Sequence, residues 1–313
     1  MLEIDSDLFA ALGPLAAGLP PEPAVGDWRS RRTGIDALYA VLAAGSPPID
    51  EIDIETMDLT TTSGDGHAVA LRLYKPKSVA NALVVYLHGG GLIAGSIDGY
   101  DHVCRRYVAE AGVALVAVDY RLAPEAPYPA ALEDGVAAVK WATEHVAKHA
   151  PGTRVVVMGD SAGGGLAAVT TAACRDRGIG PVAAQVLVYP MLDDRTARVS
   201  PAIEPLLTWS VGDNITGWRA YLGDDYGADV MPPLVSAARI ESLDNLPSTY
   251  LEVGQLDLFC AEGVAFATAL MERGVAVHLV VRAGAFHGFD QIVPESVAAR
   301  SAFGDRVAFL RRL

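Results

Sequence analysis

Short segments without a polar face recur along this chain, and segments of helical periodicity alternate with them. The apolar segments are ALVVYLH from Ala82, Val113–Tyr120, Arg154–Gly159, Val182–Pro190, Ser248–Gly254 and Val275–Val281. The helical candidates are Asp98–Ala111, Ala131–Ala150, Ser161–Arg177, Ala261–Arg273 and Glu295–Leu313. Strands that are apolar on both faces are typical of a parallel sheet covered by helices. The alternation therefore predicts an α/β fold with a doubly wound sheet and right-handed crossovers.

Two other kinds of segment come before the first of these strands. Helical patterns run from about Leu8 to Ala17 and from about Trp28 to Ala44, with a break at Pro20, Pro21 and Pro23. The runs IDIETMDLTT and AVALRLYKP then flank the turn SGDG, which predicts an antiparallel hairpin.

Composition narrows the class of protein. With 51% hydrophobic residues the 313-residue chain can bury a large core, and its formal net charge of −14 argues against nucleic acid and anionic membranes as partners. No run of 18 apolar residues is present, and the first residues carry acids instead of a basic signal region. Three cysteines show neither a C-x-x-C spacing nor a metal pattern. We therefore expect a cytoplasmic protein without a metal or cofactor.

The motif Gly159-Asp160-Ser161-Ala162-Gly163 joins a predicted strand to a predicted helix. A serine on such a sharp turn exposes its hydroxyl and needs small neighbours two residues away on each side. The following helix directs its N-terminal amides toward developing negative charge. The motif therefore predicts Ser161 as a nucleophile, against the simpler interpretation of an ordinary serine N-cap.

A serine nucleophile needs a base that follows it in the chain order typical of this kind of site. Only His278 and His287 follow Ser161. His278 lies inside a predicted strand, whereas His287 lies in a glycine-containing loop after the last strand. We predict His287 as the general base.

The acid that orients this histidine should also follow a strand at its carboxyl end. Asp257 follows the strand Ser248–Gly254 by three residues, although it could also serve as a helix N-cap. Asp244 precedes that strand and Glu252 lies within it. Asp193 and Asp194 follow the preceding strand, away from the place where the acid of such a site usually lies. Asp257 is therefore the predicted acid.

The glycines after His88 suit an oxyanion hole, because a backbone without side chains can approach a substrate oxygen closely. The predicted donors are the amides of Gly90, Gly91 and Ala162, with His88 holding the loop. A competing interpretation is a dinucleotide site built on the same glycines with Asp119 on a ribose. That site would need a helix that begins at the glycines, and Ser96 to Gly99 intervene.

Taken together, these motifs resemble those of the bacterial hormone-sensitive-lipase-like esterases, known as family IV. The matching pieces are HGGG at 88–91, YRLAPEAPYPAALED at 120–134, GDSAGGG at 159–165, QLDLFCAEG at 255–263 and FHGF at 286–289. The resemblance implies an eight-stranded α/β-hydrolase core with a helical cap, and cofactor-free hydrolysis of short-chain esters through an acyl-enzyme. It also implies Ser161, Asp257 and His287 as the triad, and Glu262 matches an acidic family position.

The chain departs from the family after Asp257, where many relatives have proline and then a basic and an acidic residue. Here the run is Leu-Phe-Cys-Ala, which places Cys260 close to the site in sequence. The triad residues are unaffected, and the change bears on the stiffness of this loop.

The expected organisation is a core of residues 49–190 and 236–313, with 1–48 and 191–235 as the two parts of the cap. Cap residues could line the substrate pocket or form the core of the cap, and the candidates are Phe9, Trp28, Leu206, Leu207 and Trp209. The expected partner is a small ester. An edge strand such as Val275–Val281 could also pair two copies into a homodimer. The competing function is a catalytically silent small-ligand-binding protein on the same fold.

Overall fold

The computed structural model describes residues 3–16, 22–46 and 54–313. Within these residues all strands belong to one eight-stranded sheet. In chain order they are β1 (Ile54–Thr62), β2 (Ala68–Pro76), β3 (Ala82–Leu87), β4 (Ala114–Asp119), β5 (Arg154–Asp160), β6 (Val182–Val188), β7 (Ser248–Gly254) and β8 (Val277–Arg282).

Helices flank the sheet or lie over one of its edges. They are α1 (Ser6–Ala16), α2 (Trp28–Gly45), α3 (Asp101–Ala111), α4 (Ala130–His149), α5 (Ala162–Asp176), α6 (Val211–Leu222), α7 (Cys260–Glu272), α8 (Phe289–Ile292) and α9 (Val297–Arg311). Short 3-10 helices occur at Glu204–Leu206, Gly223–Asp225 and Ala237–Arg239. Among the described residues, no helix is both long enough and apolar enough to cross a membrane.

The strands lie in the order β1-β2-β4-β3-β5-β6-β7-β8. The hairpin of β1 and β2 is antiparallel, β2 is antiparallel to β4, and all later neighbours are parallel. The predicted hairpin and the predicted eight-stranded, mostly parallel α/β sheet are therefore both confirmed. Because the carboxyl ends of parallel strands share one edge, the loops after β3, β5, β7 and β8 meet there.

The central strands are covered on both faces, as their composition predicts. Every residue of β3 is buried, and α5 packs on β5 and β6 while it contacts α4. The last helix, α9, packs against α3. This double cover explains why these strands lack a polar face.

Element boundaries differ from the sequence expectations at several ends. Helix α3 begins at Asp101 instead of Asp98, because the amide of Tyr100 bonds back to Ser96 and Ile97 in turns. Strand β6 ends at Val188, since Tyr189 has φ of 35° and leaves the extended conformation. The predicted break at Pro20 and Pro21, the end of the first helix at Ala17 and the boundary between residues 48 and 49 lie outside the described residues.

Candidate active site

Ser161 lies on the sharp turn between β5 and α5, with φ of 54° and ψ of −121°. This turn brings the backbone of neighbouring segments so close that side chains are excluded. A Cβ atom on Gly163 would lie 2.1 Å from the carbonyl oxygen of Leu87, and one on Gly159 would lie 2.2 Å from that of Gly163. The glycines of the motif are therefore required by close packing around the serine.

The hydroxyl of Ser161 is within hydrogen-bond distance of His287. Its Oγ lies 2.8 Å from Nε2 of the imidazole. His287 lies in the loop between β8 and α8 and is only 9% exposed. The rings of Tyr189 and Phe259 pack edge-on against it, with centroids 4.9 and 5.1 Å away. These contacts hold the imidazole beside the serine.

Asp257 completes the arrangement from the turn after β7. Its Oδ2 lies 2.8 Å from Nδ1 of His287, and its Oδ1 accepts a hydrogen bond from the amide of Phe259 at 2.9 Å. The carboxylate is buried, with 2% of the residue exposed. A carboxylate on Nδ1 leaves Nε2 free to accept the serine proton. The structure thus brings together all three residues predicted as the triad.

The competing acids and the competing histidine lie elsewhere. Glu252 is paired with Arg306 and Arg282, and Asp194 is paired with Arg239. His278 is exposed on β8, where its ring packs edge-on against Phe309.

Asp193 and Asp244 are also engaged at other places. Asp193 binds Arg195, and Asp244 binds Ser242. None of these side chains contacts Ser161 or His287 among the described residues.

The predicted oxyanion donors lie in the loop after β3 and at the start of α5. Gly90 lines the same pocket as Ser161, and Ala162 is the first residue of α5. Within the described part of the chain, the amides of Gly90, Gly91 and Ala162 donate to no protein acceptor.

His88 stabilises the glycine loop through a hydrogen bond to Gly89 and a ring stack on Tyr120. Its Nδ1 lies 2.7 Å from the carbonyl oxygen of Gly89, and its ring stacks on Tyr120 with centroids 4.3 Å apart. The Tyr120 hydroxyl donates to the carbonyl oxygen of His88 at 2.7 Å. Burial lowers the pKa of His88 below its ordinary value, so the imidazole is neutral near pH 7.

Asp160 is an important residue that sequence reasoning did not single out. Its buried carboxylate accepts hydrogen bonds from the hydroxyls of Tyr86 and Tyr100 at 2.8 and 2.7 Å and from the side chain of Gln291 at 3.0 Å. It also accepts one from the amide of Gly89 at 3.2 Å. Burial raises the pKa of Asp160 despite these donors. Its place between Gly159 and Ser161 was the available sequence signal.

The α2 helix reaches this network through one hydroxyl group. The hydroxyls of Tyr39 and Tyr100 are 3.1 Å apart, and the latter binds Asp160. The region before the hairpin is thereby linked to the residue beside the nucleophile. No local pattern around Tyr39 predicts this contact.

A pocket of about 410 Å³ opens onto Ser161 and His287. Leu207 and Trp209, two of the five cap candidates, line it. The other three candidates are not among its lining residues. The guanidinium groups of Arg29 and Arg32 lie over the ring of Trp28. Phe9 is 66% exposed, and Leu206 is outside the lining. The lining that sequence reasoning missed includes Ile35, Leu38, Tyr39, Tyr189 and Gln291.

Glu262 lies in the first turn of α7 and supports the loop after β6. Its carboxylate accepts hydrogen bonds from the amide of Leu192 at 2.7 Å and from the hydroxyl of Thr196 at 2.5 Å. Burial raises the pKa of Glu262 to about 8.

The nearby Cys260 is half-buried, and burial raises the pKa of its thiol. Among the described residues, no group of three or more His, Cys, Asp and Glu side chains is placed to hold a metal ion.

Comparison with known protein families matches residues 84–291 to a family of the α/β-hydrolase fold. The chain belongs to the α/β-hydrolase family. The matched range contains Ser161, Asp257 and His287, and within the family the motifs and relatives are those of the hormone-sensitive-lipase-like esterases. The resemblance seen in the sequence is confirmed.

Curated relatives cover most of the chain. The carboxylesterase NlhH of Mycobacterium tuberculosis is 33% identical over 286 residues, which are 89% of each chain. The ethyl acetate hydrolase of Pseudomonas putida is 33% identical over 74% of each chain. Both relatives align with this chain over well above two thirds of their length.

Solved structures agree in fold. A bacterial heroin esterase superposes with a TM-score of 0.88 at 31% identity, covering 99% of this chain and 97% of its own. An esterase from the hyperthermophilic archaeon Pyrobaculum calidifontis superposes with a TM-score of 0.85 at 31% identity, covering 99% of both chains.

Proposed function

We infer that this chain is a carboxylic ester hydrolase that cleaves short-chain esters, with Ser161 as nucleophile, His287 as general base and Asp257 as the acid that orients it. One observation carries the proposal: Ser161 Oγ lies 2.8 Å from His287 Nε2, and His287 Nδ1 lies 2.8 Å from Asp257 Oδ2. Relatives named carboxylesterase and ethyl acetate hydrolase support the reaction class.

Acylation begins with transfer of the Ser161 proton to Nε2 of His287 as the oxygen attacks the ester carbonyl. Asp257 stabilises the imidazolium that forms and keeps the ring oriented. The alcohol then leaves with the proton from His287. The acyl group stays on Ser161 as an ester.

The amides of Gly90, Gly91 and Ala162 would stabilise the tetrahedral oxyanion. Each such donor is worth about 2.7–4 kcal/mol in the transition state. Their lack of acceptors within the described residues supports this role, because a donor already engaged could not bind the substrate oxygen.

Deacylation repeats the chemistry with water in place of the alcohol. His287 takes a proton from the water, which attacks the acyl-enzyme, and Ser161 leaves with that proton. No redox step or cofactor is required for this sequence.

The preference for short chains rests on the size of the pocket and on the names of relatives. A volume of about 410 Å³ lies at the lower end of the usual range for ligand sites. Relatives named ethyl acetate hydrolase and acetyl esterase act on small acyl groups by name. p-Nitrophenyl esters from acetate to dodecanoate test the preference; a steady rise in kcat/KM out to dodecanoate would contradict it.

We also propose that residues 1–48 and 191–235 form the cap over the site. Supporting contacts join the two segments: Arg31 of α2 is 3% exposed and binds Asp213 of α6 at 2.6 Å. Side chains from both segments, including Tyr39 and Trp209, line the pocket.

The competing function is a silent binding protein on the same fold, and nothing in the geometry favours it. Turnover of p-nitrophenyl acetate by the wild type and by Ser161→Ala separates the two. The esterase proposal predicts turnover that is abolished in a folded variant. Equal rates in the two proteins would contradict it.

A cytoplasmic location and pairing between two copies are further proposals. Three unpaired cysteines, Cys104, Cys174 and Cys260, are usual in a reducing compartment. Among the described strands β8 has β7 as its one neighbour, so its other edge offers backbone groups for pairing. Light scattering of the purified protein should give the mass of a dimer, and a monomer at all concentrations would contradict the pairing.

A further inference from the structure

A second cavity adjoins the active-site pocket. Its volume is about 300 Å³, against about 410 Å³ for the pocket that contains Ser161. The two cavities share Asp160, Tyr189 and Gln291 as lining residues. These three side chains therefore form the wall between the cavities.

Two of the three wall residues are fixed from several sides. Asp160 is held by the donors described above. Tyr189 donates its hydroxyl to Asp290 at 2.9 Å and its amide to the carbonyl oxygen of Glu252 at 2.5 Å, and its ring packs on His287. Removal of either side chain would disturb the groups around the nucleophile.

Gln291 is attached differently. It lies in the one-turn helix α8, and the hydrogen bonds of its side chain to the described residues come from Nε2, which donates to Asp160 at 3.0 Å and to the Tyr189 hydroxyl at 3.1 Å. It belongs to neither the sheet nor the triad. Its amide is thus the part of the wall that can be removed with the least disturbance.

The second cavity has room and suitable chemistry for a neutral chain. Its lining includes Val103, Val188, Pro294 and Phe303. The charged groups that border it have partners: Arg306 pairs with Asp290 at 2.5 Å, Arg106 with Glu110 at 2.9 Å and Glu295 with Arg300 at 3.8 Å, and Asp160 accepts the hydrogen bonds described above. It extends to the exposed residues Glu110 and Glu295, so a chain that entered would have space to continue.

We propose that Gln291 is a specificity-determining residue, whose side-chain amide closes the passage from Ser161 into the second cavity. It thereby limits the length of the alkyl substituent that an ester can extend past Tyr189. This inference rests on the proposed esterase function and names the residue that ends its substrate pocket. Without the amide, the two cavities join and a neutral alkyl chain enters the second one.

The test compares chain-length profiles of Gln291→Ala and Gln291→Ser with the wild type. One ester series varies the acyl chain of p-nitrophenyl esters, and the other varies the alcohol of alkyl acetates. Each buried methylene adds up to about fourfold in kcat/KM. We expect the octanoate-to-butyrate ratio or the octyl-to-butyl ratio to rise by about tenfold or more, and the series that responds identifies the half of the ester that passes Gln291.

Two matched variants separate passage into the second cavity from simple enlargement. Ile292 lines the pocket with Ser161 and not the second cavity, so Ile292→Ala enlarges the pocket without opening the passage, and adding Val103→Phe should leave the ratios of Ile292→Ala unchanged. Val103 lines only the second cavity. The substitution Val103→Phe should leave the wild-type ratios unchanged and return those of Gln291→Ala to the wild-type values.

Thermal melting establishes that each variant is folded, and Gln291→Ser carries the test if Gln291→Ala does not fold. Rates of Ser161 labelling by butyl and octyl phosphonates give the same comparison without turnover. The inference is overturned if both ratios stay within about twofold of wild type in a folded variant, or if Val103→Phe fails to reverse the gain. In that case wild-type turnover of p-nitrophenyl acetate is intact, whereas failure of the proposed function removes it.

Discussion

The amide nitrogen of Gly89 lies 3.2 Å from Oδ1 of Asp160. This hydrogen bond joins the loop that presents Gly90 and Gly91 to the residue that directly precedes Ser161. The nucleophile and two of the proposed oxyanion donors are therefore positioned by one buried carboxylate. The same carboxylate binds Tyr100, and through it the Tyr39 hydroxyl of α2.

Asp160→Asn should lower both stability and kcat. Each carboxylate oxygen accepts at least two donors, and an amide would direct an NH₂ group at one of these pairs. We expect a loss of about 1–3 kcal/mol in unfolding free energy, and a fall in kcat of about tenfold or more because the Gly89 loop shifts. Urea unfolding and steady-state kinetics measure the two effects.

Tyr86→Phe is the control for this substitution, because it removes a single donor and keeps the carboxylate. Its kcat should fall less than that of Asp160→Asn. A wild-type kcat in folded Asp160→Asn would show that this carboxylate does not position the loop.

Gly91→Ala should impair the oxyanion hole. Gly91 has φ of 63°, which strains any residue with a Cβ, and an added Cβ would lie 2.5 Å from the ring of Trp209, so the Gly91 backbone or the Trp209 ring must move. Displacement of one donor costs about 100-fold or more in kcat. Gly112→Ala is the matched control, since its φ of 71° is similar but no atom lies within 4 Å. It should reduce stability by about 1–2 kcal/mol with kcat unchanged; equal kcat losses in the two variants would count against the assignment of Gly91.

Arg306→Met should destabilise the fold strongly. Arg306 is 2% exposed and pairs with Glu252 and Asp290, each at 2.5 Å. Removing it leaves two carboxylates without their shared buried cation, which costs about 3–5 kcal/mol.

Arg300 lies on the same helix, and its side chain is 54% exposed, so Arg300→Met serves as the control. It should cost less than about 1 kcal/mol. Urea unfolding of both variants checks the difference, and similar losses would show that the buried pairs contribute little.

Glu262 should lower the free energy of unfolding as the pH rises into the alkaline range. Its pKa rises from the ordinary value of 4.5 to about 8 in the folded chain, mainly because of burial. The folded state therefore favours the protonated carboxyl, and the stability from this group is fully present below about pH 4.5 and lost as pH rises through about 8.

Glu262→Gln cannot ionise, so the unfolding free energy of wild type minus variant should fall between about pH 5 and 9. Urea unfolding across that range measures the difference. Glu272→Gln, on the exposed end of the same helix, should show no such trend. A constant difference for Glu262→Gln would rule out the raised pKa.

The strands and the residues that directly follow them could be predicted, because they depend on short stretches of sequence. The apolar segments gave the strands, and the positions of Ser161, Asp257 and His287 just after strands placed them at one edge of the sheet. His278 could be set aside for the same reason, because it lies inside β8.

Features that depend on packing between distant segments were not predictable. Gln291 contacts Asp160 across 131 positions of sequence, and nothing around Gln291 indicates this partner. Trp28 was a reasonable pocket candidate, yet Arg29 and Arg32 lie over its ring and it does not line the pocket. The outcome depends on how α2 is rotated against α6, which the residues of α2 do not specify.

Covalent labelling tests the central claim most directly. The wild type, Ser161→Ala and His287→Ala are treated with a p-nitrophenyl phosphonate, and the intact mass and the modified peptide are measured. The Ser161 side chain makes no cap hydrogen bond to α5, so its loss should leave the fold intact. The account predicts one adduct per chain on Ser161 in the wild type, none in Ser161→Ala, and very slow labelling in His287→Ala. An unlabelled Ser161 in folded wild-type protein, or an equal rate of labelling without His287, would contradict it.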